Sequence, residues 1–154
     1  MTRPDWQLRS ADDSDRETII KMLVDAELPV EGLEEQYGDG YIVAVRDGEI
    51  IGAGGIEVYG CYGLLRSVVV THGERGSGLG VVIVNNRLLW AARRGLHAVY
   101  LLTTTVPDFF GHVGFTEMSR TEMPGEIQEF SGAVRSMRLP TPSILAAEPE
   151  VTDS

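Results

Sequence analysis

The chain has 154 residues, of which 43% are hydrophobic and 23% charged, so it has the material for one folded core and is not of a disordered composition. No apolar run approaches the roughly 20 residues of a membrane span, and a net charge of −10 disfavours binding to nucleic acid or to an anionic membrane. The single cysteine, Cys61, cannot form an internal disulfide, and three widely spaced histidines do not predict a metal site. The first residues carry no apolar stretch of the signal-peptide type, so we expect a cytoplasmic protein.

The N-terminal part predicts a strand, a helix and a hairpin. A short strand is expected at residues 6–9, and apolar residues at helical spacing predict a helix over residues 17–28 that ends before Pro29. Residues 31–37 read as a short acidic helix or loop. Two segments rich in strand-forming residues, 41–46 and 49–59, flank Asp47-Gly48, which is a strong hairpin signal.

The following part predicts a strand, a glycine-rich loop, a helix and another strand. Residues 62–70 form an almost unbroken apolar run, as in a central strand buried on both faces. A helix is expected over residues 78–94, because Gly95 follows it as a terminating residue, and a buried strand over residues 98–104. We then expect a short helix at 108–113, a strand from Gly114-Phe115 and a helix from Pro124 to about residue 130. A last strand is expected at 143–147.

The order of these elements predicts one domain over residues 1–147, followed by a flexible acidic tail at 148–154. Three strands joined by hairpins and then by a crossover helix predict a mixed, mostly antiparallel sheet with helices on both faces. The expected fold class is therefore α+β, with an α/β-like mixed sheet.

The segment Arg75-Gly76-Ser77-Gly78-Leu79-Gly80 lies between a strand and a helix. Glycines let the backbone approach a ligand, and a helix N-terminus offers unpaired N–H donors, so the loop predicts an anion site suited to a pyrophosphate. The dinucleotide fingerprint fails because Val81 stands where its third glycine belongs, and the lysine of a Walker loop is absent. The alternative is a glycine-rich turn that only caps the helix.

Two motifs give the chain a resemblance to the GCN5-related N-acetyltransferase (GNAT) superfamily: the loop at 75–80, and Phe109-Phe110-Gly111-His112-Val113-Gly114-Phe115. The resemblance implies acetyl-CoA as co-substrate and splayed fourth and fifth strands with the thioester at the split. It implies a set of cofactor-binding residues: Val68, Val69 and Val70 on the pantetheine, Arg75, Gly76, Ser77, Gly78, Leu79 and Gly80 on the pyrophosphate, and Phe110 in the second motif. Phe110 stands where the family commonly has a tyrosine acid, so the general acid is not identified.

Two further stretches, residues 63–70 and 99–105, resemble the arsenic-resistance-linked N-acetyltransferases. The cysteine that this subfamily has before a C-terminal proline is absent here, where Arg138-Leu139-Pro140 stands instead. This resemblance implies that the acceptor is an amino acid or an arsenical analogue of one.

Arg66 is the most informative side chain, because a guanidinium within an apolar strand is costly to bury unless it is paired. The turn near Gly60 places Glu57 roughly opposite residues 65–66 of the next strand. Two interpretations stay open: a structural ion pair, or an acceptor site in which Arg66 grips an anionic group and Glu57 accepts the amine proton, directly or through water. Nearby hydroxyls are candidates for contact with the acceptor: Ser67, Thr103 and Thr104.

The sequence therefore predicts an acetyl-CoA-dependent N-acetyltransferase that acts on a small, carboxylate-bearing amine. No activated nucleophile is visible, so direct transfer is expected rather than a covalent acyl-enzyme. No metal is expected, and a homodimer is left open. The alternatives are a non-catalytic acyl-CoA-binding or sensing module, and an acetyltransferase of protein N-termini or lysines.

Overall fold

The computed structural model describes residues 5–28, 30, 33, 37–74, 76–103, 115–118 and 135–140. These residues contain seven strands and two longer helices. In chain order they are β1 (Gln7–Ser10), α1 (Arg16–Asp25), β2 (Tyr41–Arg46), β3 (Glu49–Tyr59), β4 (Tyr62–Val70), α2 (Leu79–Arg93), β5 (Ala98–Thr103), β6 (Thr116–Met118) and β7 (Arg135–Pro140).

The seven strands form one sheet in the order β1-β2-β3-β4-β5-β7-β6. The pairs β1–β2, β2–β3 and β3–β4 are antiparallel, and the turns of the sequence predict this for the last two. The pairing of β4 with β5 is parallel, because α2 crosses over between them, and β7 pairs antiparallel with both β5 and β6. The prediction of a mixed, mostly antiparallel sheet is confirmed.

Among the described elements, α1 packs on one face of the sheet and α2 on the other, and successive residues of β2 point to opposite faces. Tyr41 and Val43 pack with α1, in a core cluster that also contains Ile19, Leu23, Leu33, Ala53 and Val69. Ile42 and Ala44 pack with α2, in a cluster with Ile51, Leu79 and Ile83. The expected α+β arrangement is therefore confirmed. Of the helices in the described ranges, neither combines the length and apolar character that crossing a membrane requires.

A helix was predicted over residues 17–28, but α1 ends earlier, at Asp25. Glu27 adopts a left-handed backbone with φ of 58°, and the amide of Leu28 donates to the carbonyl of Leu23 at 2.8 Å. This is the geometry of a left-handed helix terminus, usually provided by glycine. The sequence has no glycine there, so the end was not predictable from composition.

The strand β7 was not predicted. It lies between β5 and β6, and its Leu139 is buried in the core on the α2 side. Its pairing with β5 joins residues far apart in the chain, and local sequence patterns do not show such pairing. The predicted elements at 31–37, apart from Leu33 and Tyr37, and at 108–113, 124–130, 143–147 and the tail lie outside the described residues.

Candidate active site

The centre of the sheet is split between β4 and β5. Their parallel pairing joins Tyr62–Leu65 to residues 98–101 and stops there, although β4 continues to Val70 and β5 to Thr103. Beyond Leu65, β4 remains paired with β3 on its other side, where Val69 lies opposite Ala53. Among the described residues, no strand pairs with the edge of β4 that faces β5 beyond Leu65, so an extended ligand can hydrogen bond to this edge as an added strand does. The predicted splay is confirmed.

A β-bulge lies at the start of this free edge. The register between β3 and β4 shifts between Ala53 and Gly55, and Ser67 has a left-handed backbone with φ of 62°. Bulges change the direction of the side chains that follow them. Val68 accordingly packs on the α2 side and Val69 on the α1 side. The bulge falls at the point where β4 leaves β5.

A buried carboxylate lies beside the split on the α1 face. Glu57 is 1% exposed, and each of its two oxygens accepts a hydrogen bond from a tyrosine. The hydroxyl of Tyr41 donates to Oε2 at 3.0 Å, and the hydroxyl of Tyr59 donates to Oε1 at 2.9 Å. Arg66 Nη1 lies 3.5 Å from Oε2, and the Tyr41 hydroxyl is also 3.4 Å from Ser67 Oγ. The structure thus contains the Glu57–Arg66 pair that the sequence predicted and places Ser67 beside it.

The sheet register explains how Glu57 meets Arg66. Gly55 lies opposite Arg66, and Glu57 lies opposite Leu64, one residue short of the predicted position. Glu57 and Arg66 are therefore diagonal neighbours on one face of an antiparallel pair, within reach of long side chains. The ion pair follows from strand pairing together with the length of the arginine.

Burial dominates the electrostatics of this group. Desolvation raises the pKa of Glu57 above its ordinary value, and the Arg66 charge and the two tyrosine hydroxyls oppose this only in part. Burial and the neighbouring carboxylate raise the pKa values of Tyr41 and Tyr59 far above 10, so both are neutral hydrogen-bond donors at neutral pH. The site therefore pairs a carboxylate of raised basicity with two protonated phenols.

Neither tyrosine of this group was predicted as a site residue from the sequence, and Tyr41 is the more deeply buried of the two. Its ring is fully buried and lies directly over Gly55, its partner across β2 and β3. A Cβ at position 55 would come within 2.5 Å of the tyrosine ring. A tyrosine opposite a glycine was a possible signal, but the bulge between Ala44 and Val45 obscured the register.

Replacing Gly55 with alanine is expected to displace the Tyr41 ring and so to weaken the Tyr41–Glu57 hydrogen bond. Overpacking of this kind costs about 1–3 kcal/mol in free energy of unfolding, measurable by urea denaturation. In a Tyr41→Ala background, where no ring meets the new methyl group, the same change should cost clearly less. Equal costs in both backgrounds would contradict the contact.

The predicted cofactor loop leads into α2 with the geometry of an anion site. Gly76 and Gly78 have left-handed backbones, with φ of 83° and 89°, and open space lies where a Cβ would stand at either residue and at Gly80. Ser77 Oγ donates to the carbonyl of Glu74 at 2.6 Å and accepts from the amide of Leu79 at 3.3 Å. The first amides of α2 have no carbonyl partner within the helix. A pyrophosphate fits this set of backbone donors.

A carboxylate directly before the loop is neutralised. Glu74 forms an ion pair with Arg46, which also lies 2.9 Å from Asp5. An unpaired carboxylate at that position would repel a phosphate. The pair therefore holds the loop against the end of β2 and reduces the negative potential around the anion site of the loop.

Replacing Gly78 with alanine is expected to weaken acetyl-CoA binding. An L-residue in the left-handed region costs about 1–2 kcal/mol. The loop would rearrange to avoid this cost and its amides would leave the positions that suit the pyrophosphate. The Kd for acetyl-CoA should therefore rise about 5- to 30-fold. Isothermal titration calorimetry measures this directly. Gly73→Ala is the matched control, because Gly73 lies in open space without a positive φ. An equal effect of both changes would contradict the role of Gly78.

The remaining predicted residues are placed only in part. Of Thr103 the structure describes the backbone at the end of β5, beyond the last pair with β4. Arg75, Thr104 and Phe110 lie outside the described residues.

Comparison with known proteins identifies relatives of this fold. A family model described as "Acetyltransferase (GNAT) family" matches residues 6–116. N-acetylglutamate synthase from Neisseria gonorrhoeae, complexed with coenzyme A and N-acetyl-glutamate, superposes with a TM-score of 0.79 at 16% identity. The match covers 91% of this chain but only 36% of the synthase chain.

Two shorter structures match over nearly their whole length. Rv2747 from Mycobacterium tuberculosis, in complex with CoA and NLQ, gives a TM-score of 0.71 at 25% identity, covering 87% of this chain and 98% of that one. The ribosomal-protein-S18-alanine N-acetyltransferase from Escherichia coli gives 0.70 at 15% identity, covering 88% and 94%. Among curated proteins, none matches the chain.

Proposed function

Because the chain belongs to the GNAT acetyltransferase family, we propose that it transfers the acetyl group of acetyl-CoA to the amine of a small molecule that also carries a carboxylate. The observation that carries the proposal is the Glu57–Arg66 pair on the α1 face beside the split. One member offers a cation for the acceptor's carboxylate, and the other offers a base for its amine. Transfer is direct, through a complex of both substrates.

The cofactor occupies the split and the loop in this proposal. The backbone of Val68, Val69 and Val70 pairs with the pantetheine along the edge of β4 that β5 leaves. The pyrophosphate rests on the amides of the segment from Gly76 to Gly80, and Arg75 adds a cation. Acetyl-CoA supplies the thioester carbonyl on which the amine acts.

The acceptor enters from the α1 face. Arg66 keeps 12% of its side chain exposed, so part of the residue is accessible to a carboxylate. Glu57 is the final acceptor of the proton that the amine loses, which it takes up directly or through water, because burial makes it more basic than an ordinary glutamate. Ser67 adds a hydroxyl beside the pair, since its Oγ lies 3.4 Å from the Tyr41 hydroxyl. Thr103 and Thr104 are proposed from the sequence as further contacts of the acceptor.

An amino acid is the acceptor class that we favour, or an arsenical analogue of one, as the narrower sequence resemblance implies. Two structures of the gonococcal synthase were obtained with coenzyme A together with N-acetyl-glutamate or with L-arginine. These ligands belong to that enzyme, and they support an amino acid here through the shared fold, which covers 91% of this chain and 36% of that one.

The test is CoA release by the purified protein with acetyl-CoA and a panel of amino acids, amino-phosphinates, organoarsenicals and peptides with free N-termini. Turnover that requires a carboxylate beside the amine supports the proposal. Turnover on peptides alone would instead indicate a protein acetyltransferase. Acetyl-CoA binding without turnover on any amine would contradict catalysis of this kind and favour a binding module.

A further inference from the structure

We propose that Tyr59 is a catalytic residue, which takes the proton from the acceptor amine and passes its own proton to Glu57. This inference rests on the proposed function. In this inference the amine does not contact the carboxylate. Its proton reaches Glu57 through the phenol of Tyr59, by two coupled proton transfers.

Glu57 is closed to a substrate amine. The residue is 1% exposed, and both of its oxygens already accept tyrosine hydrogen bonds, at 3.0 and 2.9 Å. Arg66 lies against Oε2 as well, at 3.5 Å. Because the Glu57 side chain is 0% exposed, an amine could reach the carboxylate only by displacing a group that covers it, and a displaced buried donor would lose its partner at a cost of its own.

The two tyrosines that contact Glu57 differ in their access to the site. Tyr41 is 0% exposed, its ring lies on Gly55, and its other side packs against Tyr37 with ring centroids 5.0 Å apart. It is fixed inside the core beneath α1 and cannot meet a substrate.

Tyr59 is half-buried, two residues beyond Glu57 on the same face of β3, where it packs beside Leu64 and Tyr100. Those neighbours, Leu64 of β4 and Tyr100 of β5, pair with each other one residue pair before the β4–β5 pairing ends. Of the two tyrosines that contact the carboxylate, Tyr59 is therefore the one that is partly exposed and lies next to the start of the split.

The proton path balances without a further reactant. The neutral amine attacks the thioester carbonyl carbon, forming a C–N bond and a tetrahedral intermediate with a protonated nitrogen. That N–H bond breaks as the proton moves to Tyr59 Oη, while the phenolic proton of Tyr59 moves to Glu57 Oε1 over 2.9 Å. The C–S bond then breaks, CoA leaves as its thiolate and takes a proton from solvent, and Glu57 returns its proton to solvent.

The chain offers its own matched control, because Tyr41→Phe and Tyr59→Phe each remove one hydroxyl from the same carboxylate. With acetyl-CoA and the panel amine that the wild-type protein acetylates fastest, we expect Tyr59→Phe to lower kcat about 100-fold and Tyr41→Phe only several-fold. The Kd for acetyl-CoA should change less than about 2-fold in both variants. Equal losses in the two variants would overturn the proposal, since both tyrosines would then merely hold Glu57.

A measurement on the wild-type protein complements the variants. If two protons move in the same step, a plot of kcat against the fraction of D2O in the solvent should be curved. A straight line would overturn the relay. This outcome differs from failure of the proposed function, which would appear as no wild-type turnover on any carboxylate-bearing amine. It also differs from a failure of Glu57 as base, which would appear as an unchanged kcat in Glu57→Gln.

Discussion

Replacing Glu57 with glutamine is expected to lower kcat about 10²- to 10⁴-fold, the range that a general base contributes. Glutamine keeps the size of the side chain and can still accept from the tyrosines, but it takes up no proton. The Kd for acetyl-CoA should be unchanged, because the cofactor loop lies at the other end of β4. Steady-state kinetics with a binding titration separate the two effects.

The pH profile gives a second test of the same residue. A base must be deprotonated to act, so kcat/KM should rise with pH through the pKa of Glu57. Burial raises that pKa, which places the rise above the ordinary glutamate value of about 4.3. The rise should disappear in Glu57→Gln. A variant that kept both the rise and a kcat within a few-fold of wild type would contradict the assignment.

Replacing Arg66 with alanine is expected to raise the KM for a carboxylate-bearing acceptor about 30- to 300-fold, as the loss of a partly buried charge contact of about 2–3.4 kcal/mol. The affinity for acetyl-CoA should stay nearly constant. A comparable loss of both affinities would indicate that the Glu57–Arg66 pair is only structural.

A matched acceptor sharpens this test. The wild-type protein should strongly prefer an amino acid over the same amine without its carboxylate, and Arg66→Ala should remove most of that preference. If the preference survives the substitution, Arg66 does not recognise the carboxylate. Thermal denaturation of the variant measures how much stability is lost with the ion pair. The loss should be limited, because Glu57 keeps its hydrogen bonds from Tyr41 and Tyr59.

The family and the enzyme class were correctly predicted from local motifs. The loop at 75–80 and the motif at 109–115 implied an acetyl-CoA-dependent acyltransferase, and the family match over residues 6–116 confirms this at the level of the family. The narrower likeness to arsenic-resistance-linked enzymes and the identity of the acceptor stay predictions. So do the single-domain limits and a homodimer.

Elements with strong local signals were predicted nearly to the residue. The turn at Asp47-Gly48 defined β2 and β3, the apolar run defined β4, and Gly95 marked the end of α2. These signals succeed because a turn, a cap or a buried run depends on neighbouring residues. The end of α1 and the strand β7 were missed, since one depends on a strained glutamate and the other on pairing with a distant strand.

The sequence by itself determined the glycine-rich loop, the order of the central strands and an arginine that had to be paired. Only the tertiary structure decided which groups surround that arginine. Tyr41 and Tyr59 meet Glu57 because of a strand register, and Tyr41 fits there because Gly55 leaves room for its ring. The reason is physical: hydrogen bonds across a sheet depend on register and on bulges, and one bulge reverses the faces of all residues that follow it.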